Sequence, residues 1–266
     1  MNPVPIASCD VCLGSALVAH RAAAATGRPL VTCTHCGFVT TAERAAQNPS
    51  SRPRDARADA QRVALVMRSV AGGRVLEIGC SEGRFLDALD PARYVAVGLE
   101  VPGEAADRAA SLLRARGERG AVIAGGLTPP ATMEPESFDL VVMFEALDRA
   151  PSPRALLMET ARVLRNGGQV LIETPSNSSL TAMLMGARWG PLNDPLTAHI
   201  FHPPSLERLV ATCGLMPTSV RTGLPLGWPR PGSILCTARK TSETLRVPDL
   251  QRLAVGSGDT APAGAR

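Results

Sequence analysis

Residues 74–89 read RVLEIGCSEGRFLDAL, an apolar strand that runs into a glycine-containing turn and then into a helix. Gly79 permits a sharp reversal of the backbone, and Gly83 lets the following helix approach a ligand with no Cβ in the way. The spacing is E-x-G-x-x-x-G, which differs from the G-x-G-x-x-G of dinucleotide-binding loops. Such a wider loop suits an amino acid and a sugar better than a pyrophosphate.

Outward from this segment, apolar runs of strand length alternate with helical stretches. YVAVGLE (94–100), AVIAG (121–125), FDLVVMF (138–144) and GQVLIET (168–174) read as further strands. Residues 83–89, 103–116 and 153–164 read as helices, the last closed by RNGG as a C-cap and turn. This alternation is the pattern of an α/β fold whose parallel sheet carries helices on both faces. After Glu173 the chain is rich in Pro, Ser, Asn and Gly as far as Asp194, which predicts a loop or short-helix insertion over the C-terminal edge of the sheet, a common place for substrate contacts. A helix over 205–213 and strands near 218–221 and 233–238 complete the pattern.

The 266 residues are 45% hydrophobic and 20% charged, enough apolar surface to bury a full core. Net charge is only +4, and the arginines are dispersed apart from a modest cluster over Ser51–Arg62. Together with 3% aromatic content, this argues against a nucleic-acid partner. No apolar run approaches the roughly 18 residues of a membrane span, and no basic start leads into an apolar export segment. The expected location is the cytoplasm. Boundaries fall at 1–41 for an N-terminal appendage, 42–72 for a linker and leading helix, 73–240 for the larger domain and 241–266 for a disordered tail.

The appendage holds four of the seven cysteines. Cys9 and Cys12 form one C-x2-C pair and Cys33 and Cys36 another, the spacing of a zinc ribbon with two facing knuckles. Four thiolates complete a tetrahedral shell with no position left for water, so the expected zinc is structural. Cys80, Cys213 and Cys236 are expected in the core.

The larger domain resembles class I S-adenosylmethionine-dependent methyltransferases over roughly 74–215, on the glycine loop, on Glu100 at the end of VAVGLE, on the block FDLVVMFEALDRAPSPRALLMETARVLRNGGQVLIETPSN, and on HIFHPPSLERLVATCGL. The resemblance implies a Rossmann-like doubly wound sheet, mostly parallel with an antiparallel last strand. It implies Glu77, Gly79, Ser81 and Gly83 along the methionine end of S-adenosylmethionine, Glu100 on the ribose, and Phe144 and Glu145 beside the sulfonium. His199 stands where such enzymes often place a histidine.

Three positions depart from the family pattern. Ser81 replaces the middle glycine, Gly125-Gly126-Leu127 stands where an Asp often receives the adenine amino group, and Asp148-Arg149 replaces Glu-His. Arg cannot serve as a base at neutral pH, so any proton must go to Asp148, Glu145 or His199. The expected acceptor is a small molecule such as a metabolite, a sugar or a natural-product intermediate. Two other readings stand beside it, an RNA methyltransferase whose ribbon contacts phosphates and a non-catalytic module that keeps the fold.

Overall fold

Residues 7–42, 56–223 and 232–241 are described by the structure, a computed structural model. The expected linker, mostly 43–55, and the tail over 242–266 lie outside the described residues. The cysteine-bearing segment forms β1 (Leu17–Ala19), a single helical turn α1 (Ala23–Thr26), β2 (Leu30–Cys33) and β3 (Val39–Thr41). Helix α2 (Ala56–Ser69) follows. Then come β4 (Gly73–Ile78), α3 (Arg84–Asp87), β5 (Tyr94–Glu100), α4 (Glu104–Leu113), β6 (Gly120–Ala124), β7 (Phe138–Phe144), α5 (Pro153–Val163) and β8 (Leu164–Pro175). The insertion carries α6 (Leu180–Met185), α7 (Gly190–Asn193) and β9 (His199–Ile200), and α8 (Pro203–Thr212), β10 (Leu215–Thr222) and β11 (Ser233–Lys240) complete the chain of elements.

Seven strands form one sheet in the order β10-β11-β8-β7-β4-β5-β6. The pairs β4–β5, β4–β7, β5–β6 and β7–β8 are parallel, and β11 runs antiparallel to both neighbours. This is the Rossmann-like, doubly wound sheet implied by the sequence. Successive side chains of a strand point to opposite faces, so each strand feeds two cores. Leu76, Ile78, Val141, Met143, Val170 and Ile172 pack with α5 and α8. On the other face Val75, Ala96, Leu140, Val142 and Leu171 pack with α2, α3 and α4. Because both faces are covered, the strands read as continuous apolar runs rather than alternating ones.

Helix starts follow local chemistry. Ser152 caps α5 by accepting from the Ala155 N–H, with Pro153 at the first helical position, and His202 and Ser205 cap α8 reciprocally. Some expected boundaries differ. The first crossover helix is only Arg84–Asp87, and α4 ends at Leu113 before a 3-10 turn through Arg119 that contains Gly117 at φ 58°. RNGG does not close a helix. It lies within β8 as a bulge, since Phe138 pairs with Leu164 while Leu140 pairs with Gln169.

The appendage is also less separate than its sequence suggests. Its sheet has the order β1-β2-β3-β9, so its fourth strand comes from the insertion of the larger domain, with Thr40 opposite His199 and Val39 opposite Ile200. Cys9, Val11, Cys33 and Phe38 belong to the same apolar cluster as α5 and α8. Arg154 of α5 donates to the carbonyls of Asp10 and Val11.

Helix α2 is fixed by a buried ion cluster. Arg62, 1% exposed, donates from Nε and Nη2 to Oε2 of Glu173 at 3.1 and 2.9 Å and from Nη1 to Asp59 at 3.2 Å. Its guanidinium also lies 4.6 Å from the centre of the Phe144 ring. Removing one partner of such a cluster leaves uncompensated buried charge. Arg62→Ala is therefore expected to destabilise the protein by about 3–5 kcal/mol in urea unfolding monitored by circular dichroism. A loss below about 1 kcal/mol would show that α2 is held by its apolar face alone.

Candidate functional site

The loop between β4 and α3 is built from its own backbone bonds. Gly79 and Cys80 donate to the Leu99 carbonyl of the neighbouring strand, and Gly83 donates to Cys80. Gly79 and Gly83 have φ of 72° and 79°, in the left-handed region where glycine carries no Cβ penalty. A Cβ at Gly79 would stand 3.1 Å from that of Ala146, and one at Gly83 would stand 3.1 Å from that of Ala109 in α4. The absence of a side chain at Gly83 thus admits the neighbouring helix α4.

Glu100 ends β5 with its side chain turned onto this loop. Its carboxylate accepts from the Ser81 N–H at 2.6 Å and from the Val101 N–H at 2.9 Å. An ionised carboxylate has about four acceptor sites, so two bonds to the backbone orient it and leave capacity for two hydroxyl donors. Ser81 sits at φ 53°, an uncommon conformation for a non-glycine residue, with its N–H spent on Glu100. Leu127, buried, lies against the Gly79 turn and makes an apolar wall where an acidic residue is absent.

Glu77, within β4, is fully buried and paired in register with Gly98 and Val142. Phe144 ends β7, is buried, and packs edge-on against Phe85 with ring centres 5.2 Å apart. Glu145 follows at φ 60°, with its N–H bonded to the Glu173 carbonyl. Two of the four described non-glycine residues with positive φ, Ser81 and Glu145, therefore stand at the C-terminal ends of adjacent strands, where strained backbone commonly marks a site.

Asp148 and Arg149 are not a solvated surface pair. They are 1% and 7% exposed, on a 3-10 turn after β7, with Arg149 Nε 3.9 Å from Asp148 and Arg149 Nη2 3.8 Å from Glu145. Burial pushes the Asp148 carboxyl up to about 7, against the lowering effect of Arg149 and with the help of Glu145. A carboxyl poised near neutrality can hold or release a proton at working pH.

His199 has a different setting. It is 2% exposed, stacks on Phe38 with centres 5.6 Å apart, and bonds Thr40 Oγ1 through Nδ1 at 2.9 Å and the Ala150 carbonyl through Nε2 at 2.7 Å. Both ring nitrogens are thus engaged in the seam between appendage and larger domain. These bonds favour a positioning role for His199 over the catalytic place expected from the sequence.

Cys9, Cys12, Cys33 and Cys36 bring their four sulfurs within 4.8 Å of one another. A tetrahedral shell with bonds of about 2.3 Å separates its sulfurs by about 3.8 Å, so the quartet fits one zinc. Cys9 and Cys36 stand 3.5 Å apart, as do Cys12 and Cys33. Hydrogen bonding between Cys9 and Cys36 lowers the Cys9 thiol and raises that of Cys36.

Sequence reasoning missed Arg62 and Glu173, which buttress Phe144 from behind. A carboxylate inside the apolar run VLIET was the available signal, since a buried charge requires a partner. Asp59 and Arg62, three apart on one helix, were the matching half.

Comparison with known proteins gives a consistent answer. A family model described as a methyltransferase domain matches residues 50–220. The ubiquinone biosynthesis O-methyltransferase of Bordetella bronchiseptica is 26% identical over 163 residues, covering 58% of this chain and 66% of the relative. A solved S-adenosylmethionine-dependent methyltransferase from Methanosarcina mazei superposes with a TM-score of 0.55 at 21% identity, covering 67% of this chain and 98% of that one. The 1,6-didemethyltoxoflavin-N1-methyltransferase of Burkholderia thailandensis, solved with S-adenosylhomocysteine, gives 0.55 at 16% identity over 77% and 96% of the two chains. The chain spans about half to two thirds of the length of the curated relatives it matches. Among the described residues, no helix is long and apolar enough to cross a membrane.

The Asp148 environment gives a pH dependence with a definite sign. Its folded value, about 7, lies above the ordinary 3.8, so its contribution to stability is full below about pH 4 and is lost as pH rises through 7. Asp148→Asn should therefore melt above the wild type at pH 8, the gap shrinking as pH falls and vanishing near pH 4. A gap independent of pH in differential scanning calorimetry would contradict the assignment.

Proposed function

Because the chain belongs to the methyltransferase-domain family, we propose that it transfers a methyl group from S-adenosylmethionine to a small-molecule acceptor. The observation that carries this reading is the Glu100 carboxylate, held against the glycine loop by two backbone N–H groups. A carboxylate in that position suits two ribose hydroxyls in a way that no neutral side chain does.

In this reading Glu77, Gly79, Ser81 and Gly83 flank the amino-acid end of the donor, with Gly83 acting through its contact with α4, and Leu127 offers apolar surface to the adenine. Phe144 and Glu145 border the reacting centre from the end of β7. When bound, S-adenosylmethionine supplies an activated methyl carbon on a sulfonium, so the protein has mainly to align the nucleophile and accept a proton. Asp148 is the group we assign to that proton, since its carboxyl is held near 7 while both nitrogens of His199 are engaged.

Two lines support a small acceptor over RNA. Several relatives and neighbours are named for small compounds, ubiquinone biosynthesis and 1,6-didemethyltoxoflavin among them. The appendage is tied into the sheet and core of the larger domain instead of standing out as a separate phosphate-binding module. In it Cys9, Cys12, Cys33 and Cys36 would hold one structural zinc, whose role is to fold a segment with too little apolar content of its own.

Titration calorimetry with S-adenosylhomocysteine tests the donor site without an acceptor. Micromolar binding is expected for the wild type, weakened by about 1–3 kcal/mol in Glu100→Ala through loss of charged hydrogen bonds. No heat at millimolar ligand would leave a methyltransferase fold without its donor. Metal analysis of the purified protein should separately give about one zinc per chain, lost when Cys33 and Cys36 are both changed to Ser. A folded N-terminus free of metal would refute the zinc assignment.

A further inference from the structure

Between the appendage and the insertion after β8 lies a cavity of about 450 Å³. Ala22, Val39 and Ile200 form one wall, and Ala182, Trp189 and Leu192 form the other. No residue of the glycine loop lines it, nor does Glu100, so it is distinct from the donor site. It does reach Asn177, two residues beyond the end of β8, the strand that pairs with β7 at Phe144. A ligand in it would therefore lie beyond the C-terminal end of β8, the neighbour of the strand that ends at Phe144.

Three features define what would fit. The volume lies in the ~300–1,000 Å³ range of small-molecule sites, and the walls are apolar and partly aromatic. Asn177 Oδ1 is buried with no hydrogen-bond partner among the described residues, which favours a ligand bearing a donor at that point. Among the lining residues there is no acid, and Arg21 is the one that stays charged, since burial and Arg21 together lower the His20 ring. The electrostatics therefore favour an anionic group near Arg21.

The mouth is apolar too. Met183 lines the cavity yet is 72% exposed, and Leu184 beside it is 78% exposed. An unbranched, polarizable Met at a rim adapts to varied apolar shapes, and adjacent exposed apolar residues commonly mark a binding surface.

We propose that this cavity is the acceptor-recognition chamber and that it takes a ring-bearing, largely apolar small molecule with a hydrogen-bond donor toward Asn177 and an anionic group beside Arg21. This deepens the methyltransferase reading and rests on it. It also gives the appendage a functional task, because His20, Arg21 and Ala22 after β1 and Val39 of β3 line the chamber.

The probe is 8-anilinonaphthalene-1-sulfonate, an apolar aromatic anion, titrated by fluorescence into the full-length protein, with uncharged N-phenyl-1-naphthylamine in parallel. Both should saturate at one site per chain. Ala187→Trp, at an exposed lining position that tolerates bulk, should fill the chamber and weaken both probes by about tenfold, or 1.4 kcal/mol. Arg21→Glu should weaken the sulfonate about threefold and leave the uncharged probe unchanged. Binding of S-adenosylhomocysteine should be the same in both variants. Unsaturable binding, or probe affinity indifferent to Ala187→Trp, would overturn the proposal, and equal effects of Arg21→Glu on the two probes would overturn its anionic part. If the probes behave as expected but S-adenosylhomocysteine fails to bind the wild type, the chamber stands and the donor reading falls.

Discussion

The pairing of β3 with β9 is the contact on which the rest of this architecture turns. It is two residues long, Thr40 against His199 and Val39 against Ile200, yet it joins segments 159 residues apart in the chain. Two-residue pairing is too little to hold a strand by itself. The side chains secure it, through the Thr40 to His199 bond, the stack of His199 on Phe38 and the His199 bond to the Ala150 carbonyl. Arg28 adds donors to the carbonyls of Pro191, Leu192 and Thr197. These contacts make the appendage a wall against the insertion.

The donor side obeys a different constraint. A doubly wound sheet buries both faces, so a functional side chain can emerge only at strand ends, and ligands collect outside the C-terminal ends of the strands. Gly79, Glu100, Glu145 and Glu173 all stand at such ends. Ser81 shows how the local departure from glycine is accommodated. Its left-handed conformation costs on the order of 1–2 kcal/mol for an L-residue, and the short bond from its N–H to Glu100 offsets that cost while orienting the carboxylate.

What was legible in the sequence follows from sequence distance and side-chain type. The parallel strands were readable because burial on both faces writes unbroken apolar runs, and the cysteine quartet because ligand spacing within each pair is local. The helix ends were less so, since Gly117 and the RNGG bulge act through backbone geometry that composition does not encode. The setting of His199 was not legible because a histidine's partners decide its role, and these lie on β3 and before α5. Arg62 was read only as the end of a modest arginine cluster because its acceptor, Glu173, is 111 residues away.

Buried charge on the acceptor side is handled in two ways, and the contrast separates support from chemistry. At Glu173 the guanidinium of Arg62 lies within 2.9 Å and a second carboxylate, Asp59, shares it, so the charges are fixed to one another and to Phe144. At Asp148 the nearest guanidinium stops at 3.9 Å and Glu145 competes for it. Coulomb attraction falls with distance while the desolvation penalty of full burial does not, so the loosely compensated carboxyl is the one driven toward neutrality. A rigid pair suits a residue that must hold an aromatic ring in place, whereas a loose one leaves a carboxyl able to change its protonation state. The second lies on the turn whose backbone carbonyl binds Ala198, next to β9. The same short strand that joins the appendage therefore also anchors the turn bearing Asp148, so the cysteine-bearing segment and this buried carboxyl are parts of one continuous frame.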